Sequence, residues 1–289
     1  MNEVLVKAHE RRFKKVFSYI DEHLNEPMSV DVLSRVANFS KFHFHRQFLG
    51  LTGVSVIAYI RMARLKRASY QMVFHKHVRV IDIAMDACFE NPESFSRAFK
   101  QAFNQTPSQF RRKPKWTPWK DQFRFPEGTW RESMDVKIVE FVEIKIAKIE
   151  HRGAPERVNN TALKFIEWRK TSGLSPVNSS QTYGIAYDDP ETTEPDNFRF
   201  DICGSVIKDI SEDNTQGVVN GIIPAGRCAV VRHLGSHDRL GESAYYLYRD
   251  WLPGSGEELR DFPMLFHYLN LFPEVAEHEL ETDVYLPLS

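Results

Sequence analysis

Residues 30 to 37, VDVLSRVA, place Leu33, Val36 and Ala37 at i, i+3 and i+4, the spacing of a helix with one buried face. Ser29 or Asp31 can cap its start. After a break around Asn38 to Ser40, KFHFHRQFLGL sets Phe44, Phe48 and Leu51 along one side of a second helix. At about 100° per residue, Phe42, His45, Arg46 and Leu49 fall on the opposite side. Two short helices joined by a tight turn, the second with a polar and basic outer face, describe a helix-turn-helix.

The pattern occurs twice. A shift of 51 sets Phe44, Arg46, Phe48, Tyr59 and Arg61 against Phe95, Arg97, Phe99, Phe110 and Arg112, and a shift of 50 sets Leu33, Ala37 and Phe39 against Ile83, Ala87 and Phe89. In the second copy the first helix covers 81–89. Phe95, Phe99 and Ala102 form the inner stripe, leaving Glu93, Ser96, Arg97 and Lys100 outward. Between the copies, Ser55 to Phe74 contains neither Gly nor Pro and reads as one helix. Its length is roughly 30 Å, close to the roughly 34 Å repeat of B-DNA, so two recognition helices of one chain can enter successive major grooves.

Beyond a Pro- and Trp-rich linker the period changes. Residues 136–153, VKIVEFVEIKIAKIEHRG, are rich in β-branched side chains and predict a strand. A helix over 154–171 and strands at 181–189 and 198–207 follow. The order then repeats, with a strand at 227–235, a helix at 238–252, and FHYLN and TDVYLPL as strands. His151-x-Gly153 and Trp168 are answered by His233-x-Gly235 and Trp251 at shifts of 82 and 83. The expected fold is therefore multidomain, α and α+β: an all-α double helix-turn-helix domain over 1–115, a linker over 116–133, and over 134–289 an α+β domain of two strand-helix-strand-strand modules. A groove between the two modules can be lined by Trp168, Tyr183, Tyr187, Phe266 and Tyr268, although each of these aromatics fits a core as well.

Charge sharpens this division. Residues 1–120 hold 21 Lys+Arg against 10 Asp+Glu, net +11, whereas the remaining residues hold 17 against 29, net −12. The split points to a polyanion-binding first domain and a second domain with another task. The 289-residue chain has no apolar run near the roughly 20 residues of a membrane span, and its charged first residues lack a secretory signal. The expectation is a cytoplasmic protein with no membrane partner. Cys88, Cys203 and Cys228 are isolated and fit buried thiols.

The second unit, FSRAFKQAFNQTPSQFRR, together with the first, resembles the DNA-binding domain of the AraC/XylS family of bacterial transcription regulators over about residues 12 to 113. The resemblance implies double-stranded DNA as partner, with base contacts from Phe42, His45 and Arg46 in the first unit and from Glu93, Ser94 and Arg97 in the second. Lys41, Arg61, Lys100 and Arg112 complete the DNA-binding set. RNA polymerase is a further implied partner, and activation the implied mode. Two departures stand out: Asn104 replaces the Gly of many relatives, and Leu49 and Gly50 replace common basic residues. The apolar pair Phe42 and Leu49 fits a thymine methyl or the surface of another domain.

YDDPETTEPDNFRFDIC, IPAGRCAVVRHLG and DWLPGSG resemble the gyrase-inhibitor-like effector-binding domain over about residues 134 to 288. In that family a groove glutamate on the penultimate strand commonly meets cationic ligands. Here FPMLFHYLN places Phe266 at that position, which favours a small apolar or aromatic ligand, with Asp201 as the nearest carboxylate. The chain contains no H-E-x-x-H, G-x-S-x-G, P-loop or G-x-G-x-x-G preceding a helix. No catalytic residue, metal site or cofactor is expected. A ligand-binding or hydrolytic protein acting on small lipophilic compounds through its second half stays open as the alternative.

Overall fold

The computed structural model describes residues 2–116, 134–272 and 274–289, with side chains described from residue 11 onward. The linker expected over 116–133 lies outside these residues except for Trp116. The chain divides into two compact units, one of Met1–Glu132 and Ala276–His278, the other of Ser133–Val275 and Glu279–Ser289.

The first unit is helical: α1 (Asn2–Glu22), α2 (Val30–Val36), α3 (Lys41–Thr52), α4 (Val56–Phe74), α5 (Val80–Asp86), α6 (Pro92–Phe103) and α7 (Pro107–Arg112). Side-chain caps mark the starts of α2, α3, α4, α6 and α7, whereas α5 starts at Arg79 without one. Ser29, Ser40, Ser55 and Asn91 each accept a backbone N–H three residues on, and Thr106 with Gln109 closes a capping box. Of the two candidates for the first cap, Ser29 does the work and Asp31 sits inside the helix. The turns require left-handed backbone. Asn38 and Cys88 occupy it inside the two helix-turn-helix turns, and Gly53 and Asn104 end the two recognition helices. Asparagine is the side chain that tolerates this region best after glycine, so Asn104 preserves the turn where a glycine is common.

Helix α1 shows that the repeated unit has three helices. Phe13, Phe17 and Ile20 on α1, with Leu24 in the turn after it, are buried in one cluster with Leu33, Ala37, Phe44 and Phe48, and α4 takes the same place before the second unit. The parallel extends to one detail: Arg12 of α1 lies 4.9 Å from the ring centroid of Phe39, and Arg61 of α4 lies 6.0 Å from that of Phe89. The second core is closed by α7 and Trp116, with Phe99 5.4 Å from Phe110 and Phe110 5.1 Å from Trp116.

The second unit is one antiparallel eight-stranded sheet with two main helices. Its elements are β1 (Lys137–Phe141), β2 (Ile144–Arg152), α8 (Val158–Ser172), β3 (Thr182–Ala186), β4 (Arg199–Ser205), β5 (Val219–Ile223), β6 (Gly226–Leu234), α9 (Leu240–Tyr246), β7 (Met264–Tyr268) and β8 (Glu281–Pro287). Counterparts start 82 residues apart throughout, as 144 and 226 or 182 and 264 show. The expected single strand over 136–153 is broken at Val142 and Glu143, and β5 was not anticipated. Each module is therefore strand-strand-helix-strand-strand. The shift of 83 between Trp168 and Trp251 also has a local cause: Leu247–Trp251 forms a π-helical turn, which inserts one residue.

The strand order β1-β6-β8-β7-β3-β4-β2-β5 shows that the first strand of each module pairs with the other module. Two-residue corners join β1 to β2 and β5 to β6, at opposite ends of the order, so the sheet must curl. Phe141 on β1 and Tyr183 on β3 are four strands apart, about 19 Å in a flat sheet, yet their rings lie 6.2 Å from each other. The inside of the curl is filled by Phe141, Ile146, Tyr183, Ile185, Cys203, Ile223, Cys228 and Leu265. Helices α8 and α9 cover the outside.

A buried histidine ties each helix to its strand. His151 contacts the Thr161 hydroxyl through Nδ1 at 2.8 Å and the Gly153 carbonyl through Nε2 at 3.0 Å. His233 repeats this with Ser243 at 2.9 Å and Ser236 O at 3.1 Å. Burial, only partly offset by the Ser236 carbonyl, holds the His233 pKa below its ordinary value, with Arg239 lowering it further and Glu242 opposing. The neutral ring thus belongs to the folded state, and the unfolded chain binds the extra proton below about pH 6.5. The thermal midpoint of the second unit should fall between about pH 7 and pH 5, and His233→Gln should flatten that dependence. An unchanged slope in the variant would remove His233 as its source.

Candidate nucleic-acid interface and ligand groove

On α3, burial of Phe44 and Phe48 turns Lys41, Phe42, His45, Arg46 and Leu49 outward. Phe42 is 63% exposed, and the Arg46 guanidinium lies 4.9 Å from its ring centroid. Lys41 pairs with Asp31 of α2; both side chains are solvated, so a phosphate can compete for the lysine. On α6, burial of Phe95 and Phe99 leaves Glu93, Arg97 and Lys100 exposed. Ser94 is more constrained. Its backbone N–H donates to Asn91 Oδ1 and its hydroxyl donates to Asn91 O, both at 2.8 Å, so only its lone pairs remain for a base. Arg61 and Arg112 are exposed, Arg61 with its guanidinium over Phe89. The ten expected DNA-binding residues thus group as two equivalent helix faces and two flanking arginines.

The six expected ligand residues do not share one surface, because successive side chains on a strand point to opposite faces. Trp168, Phe266 and Tyr268 lie on the helix-covered face. Trp168 packs with Phe165, Ile149 and Ile202 beneath α8, while Phe266 is buried with Leu240 and Leu247 beneath α9. Tyr183, Tyr187 and Asp201 lie on the other face, inside the curl, so a groove lined by all six is not what this fold builds. Between the helices the floor is Gly184 opposite Phe266. A Cβ at Gly184 would collide with the Phe200 ring and stand 3.0 Å from the Tyr268 hydroxyl. Phe200 lies 6.4 Å from Phe266, stacked, and the His237 ring is 4.9 Å from that of Tyr268. Gly184, Phe200 and His237 neighbour Phe266 and Tyr268 on this face, and the sequence did not single them out. Alternation along β4 carried the signal for Phe200, since it separates Phe200 and Ile202 from Asp201.

Asp201 cannot stand in for a groove carboxylate. It is fully buried on the inner face, accepting from Lys148 Nζ at 2.8 Å, Arg152 Nη1 at 3.0 Å and the Tyr187 hydroxyl at 2.9 Å. Glu150 accepts from Lys148 at 2.8 Å. Burial works against the Lys148 charge, but hydrogen bonds to Asp201 and Glu150 outweigh it and hold the ammonium pKa above its ordinary value. Tyr187 is pushed up to about 12, by burial first and then by Asp201. Among the described residues no cluster of three or more His, Cys, Asp and Glu could hold a metal ion, and no single helix is long and apolar enough to cross a membrane.

Compared with known proteins, residues 134–289 match the GyrI-like small molecule binding domain, and residues 33–113 match a helix-turn-helix domain. The chain is 53% identical over 157 residues to "Probable transcriptional regulator YgiV" of Escherichia coli (strain K12), a stretch covering 54% of this chain and 98% of that one. To the regulatory protein SoxS of the same strain it is 32% identical over 104 residues, 36% of this chain and 96% of that one. To the right origin-binding protein it is 28% identical over 182 residues, 62% of each chain.

The Asp201 cluster makes a prediction of its own. Asp201→Ala removes the buried acceptor shared by Lys148, Arg152 and Tyr187, leaving Glu150 as the acid that still pairs with both cations, and should destabilise the second unit by about 2 kcal/mol. Chemical denaturation measures this. A loss below about 0.5 kcal/mol would mean that water replaces the carboxylate.

Proposed function

The chain belongs to the family of the GyrI-like small molecule binding domain, which it carries behind a helix-turn-helix domain of the AraC type; it is a transcription regulator, and we propose that it acts as an activator reading asymmetric duplex DNA with α3 and α6. The observation that carries this reading is the equivalence of the two outward faces, with Arg46 and Arg97 exposed at matching positions in a domain of net charge +11 over residues 1–120. Arginine bonds guanine O6 and N7 through two donors, while the surrounding lysines and arginines supply the phosphate term. RNA polymerase is the partner that activation requires, and the cytoplasm is where the chain would meet both.

In this reading the second unit senses a small apolar or aromatic molecule between α8 and α9. Its floor is Phe200, Phe266 and Tyr268, with Trp168 in the core beside it, and none of these is an acid or a nucleophile activated by a base. That supports sensing over hydrolysis. Tyr183, Tyr187 and Asp201 would serve this site only by holding the sheet beneath it.

Two tests follow. Selection from a random duplex library should recover a site with two guanine-containing elements about one helical turn apart. Arg46→Ala and Arg97→Ala should each relax specificity in one element at a cost of about 1 to 3 kcal/mol, and binding of the unmodified protein should weaken steeply between about 50 and 200 mM salt. Equal weakening of selected and random DNA by both variants would reduce these arginines to phosphate contacts.

The groove is tested with a matched neutral and cationic aromatic pair followed by tryptophan fluorescence. The neutral compound should bind at least as well as the cation, and Phe266→Glu should reverse the order, because a poorly solvated carboxylate gains a partner only from the cation. Strong preference of the unmodified protein for the cation would place the site elsewhere.

A further inference from the structure

The two helix-turn-helix units meet along a polar seam. The first core draws on α1 to α4 and, among the described residues, takes its last member from α4 at Ala63; α4 also packs on α5, α6 and α7. Beside that handover a narrow crevice is lined by Arg64, Arg67, Gln71 and Asp86, with Leu24 and Ala87. Apolar packing is non-directional, and here the directional bonds come from Arg64, the residue after Ala63. Its Nε donates to the Leu24 carbonyl at 2.8 Å and its Nη2 to the Glu26 carbonyl at 2.5 Å. Both carbonyls belong to the turn between α1 and α2, outside any helical ladder. Cys88, in the left-handed turn between α5 and α6, brings its thiol to 3.8 Å from the same Leu24 oxygen. One carbonyl thus meets both α4 and the turn that leads into α6. A planar fork on two acceptors fixes orientation as well as distance.

Resting on the DNA-reading assignment above, we propose that Arg64 is a positioning residue: by tying the α1–α2 turn to α4 it sets the spacing at which the chain reads its two elements. One added base pair moves the second element about 3.4 Å along the duplex and about 35° around it. A seam held by a planar fork does not follow that rotation, so the chain reaches only one element in full. With the fork removed, water takes over the turn carbonyls and the polar crevice can shear. The second unit then follows its element. Spacing is in this way a property of one side chain as well as of the length of α4.

The test varies the spacing and leaves the elements alone. The full-length protein is titrated with its selected duplex and with duplexes carrying one base pair inserted or deleted between the two elements. The unmodified protein should bind the altered duplexes at least about tenfold more weakly, the loss of one element's contacts. Arg64→Ala should cut that penalty to about threefold or less, and Arg64→Lys, which keeps a cationic donor without the fork, should restore part of it. The penalty is a ratio within one preparation, so a lower folded fraction cancels, and Arg64→Gln repeats the measurement should the alanine variant not fold. Arg67→Ala removes a charge from the same crevice and should leave the penalty unchanged. A penalty that persists in Arg64→Ala, or that disappears equally in Arg67→Ala, overturns the role of Arg64 while leaving DNA reading intact. An unmodified protein indifferent to spacing does the same. Failure of the unmodified protein to bind any duplex overturns both readings.

Discussion

The packing of two phenylalanines one helical turn apart fixes the rest of the reader. Phe44 and Phe48 are fully buried against Phe13 and Phe17 of α1, and Phe95 and Phe99 are fully buried in the second core. A helix of twelve residues has little stability alone, so its tertiary contacts decide its rotation about its own axis. Once two rings point inward, the residues at about 100° steps have no choice of side. The outward arginines, the exposed Phe42 and the N-terminal caps all inherit their direction from that choice.

That constraint is also why the helical half was legible in sequence. Stripes at i, i+4 and i+7 locate the buried face directly, and the second copy tests the first. What escaped was α1, whose charged start hid Phe13, Val16, Phe17 and Ile20 from a reader following the repeat, although their spacing is as regular as that of α3. Its role became visible only when α4 was seen to occupy the same place before the second unit.

The sheet half was less legible, for a physical reason. Helix and strand types follow from composition, but a strand has two faces, and sequence alternation does not say which face the helices cover. Trp168, Phe266 and Tyr268 were grouped with Tyr183, Tyr187 and Asp201 because all are aromatic or acidic. Only the register of β3, β4 and β7 separates them. Asp201 marks the difference most clearly: a carboxylate with two cations and a phenol around it is a structural ion cluster, whose alternation with Phe200 and Ile202 was present in the sequence but had no assigned side.

The exchange of first strands between the modules reaches into how the chain is made. Lys137 finds its backbone partner only in Val230, and Ile144 only in Ile223, so neither module can complete its sheet by itself. Pairings this distant in sequence are slow to form, and they cannot form on a ribosome before the second module has been synthesised. The helical reader, whose contacts are local, has no such delay. During synthesis the reader therefore matures ahead of the sheet, and a chain truncated within the second module exposes unpaired strand edges beside a finished reader.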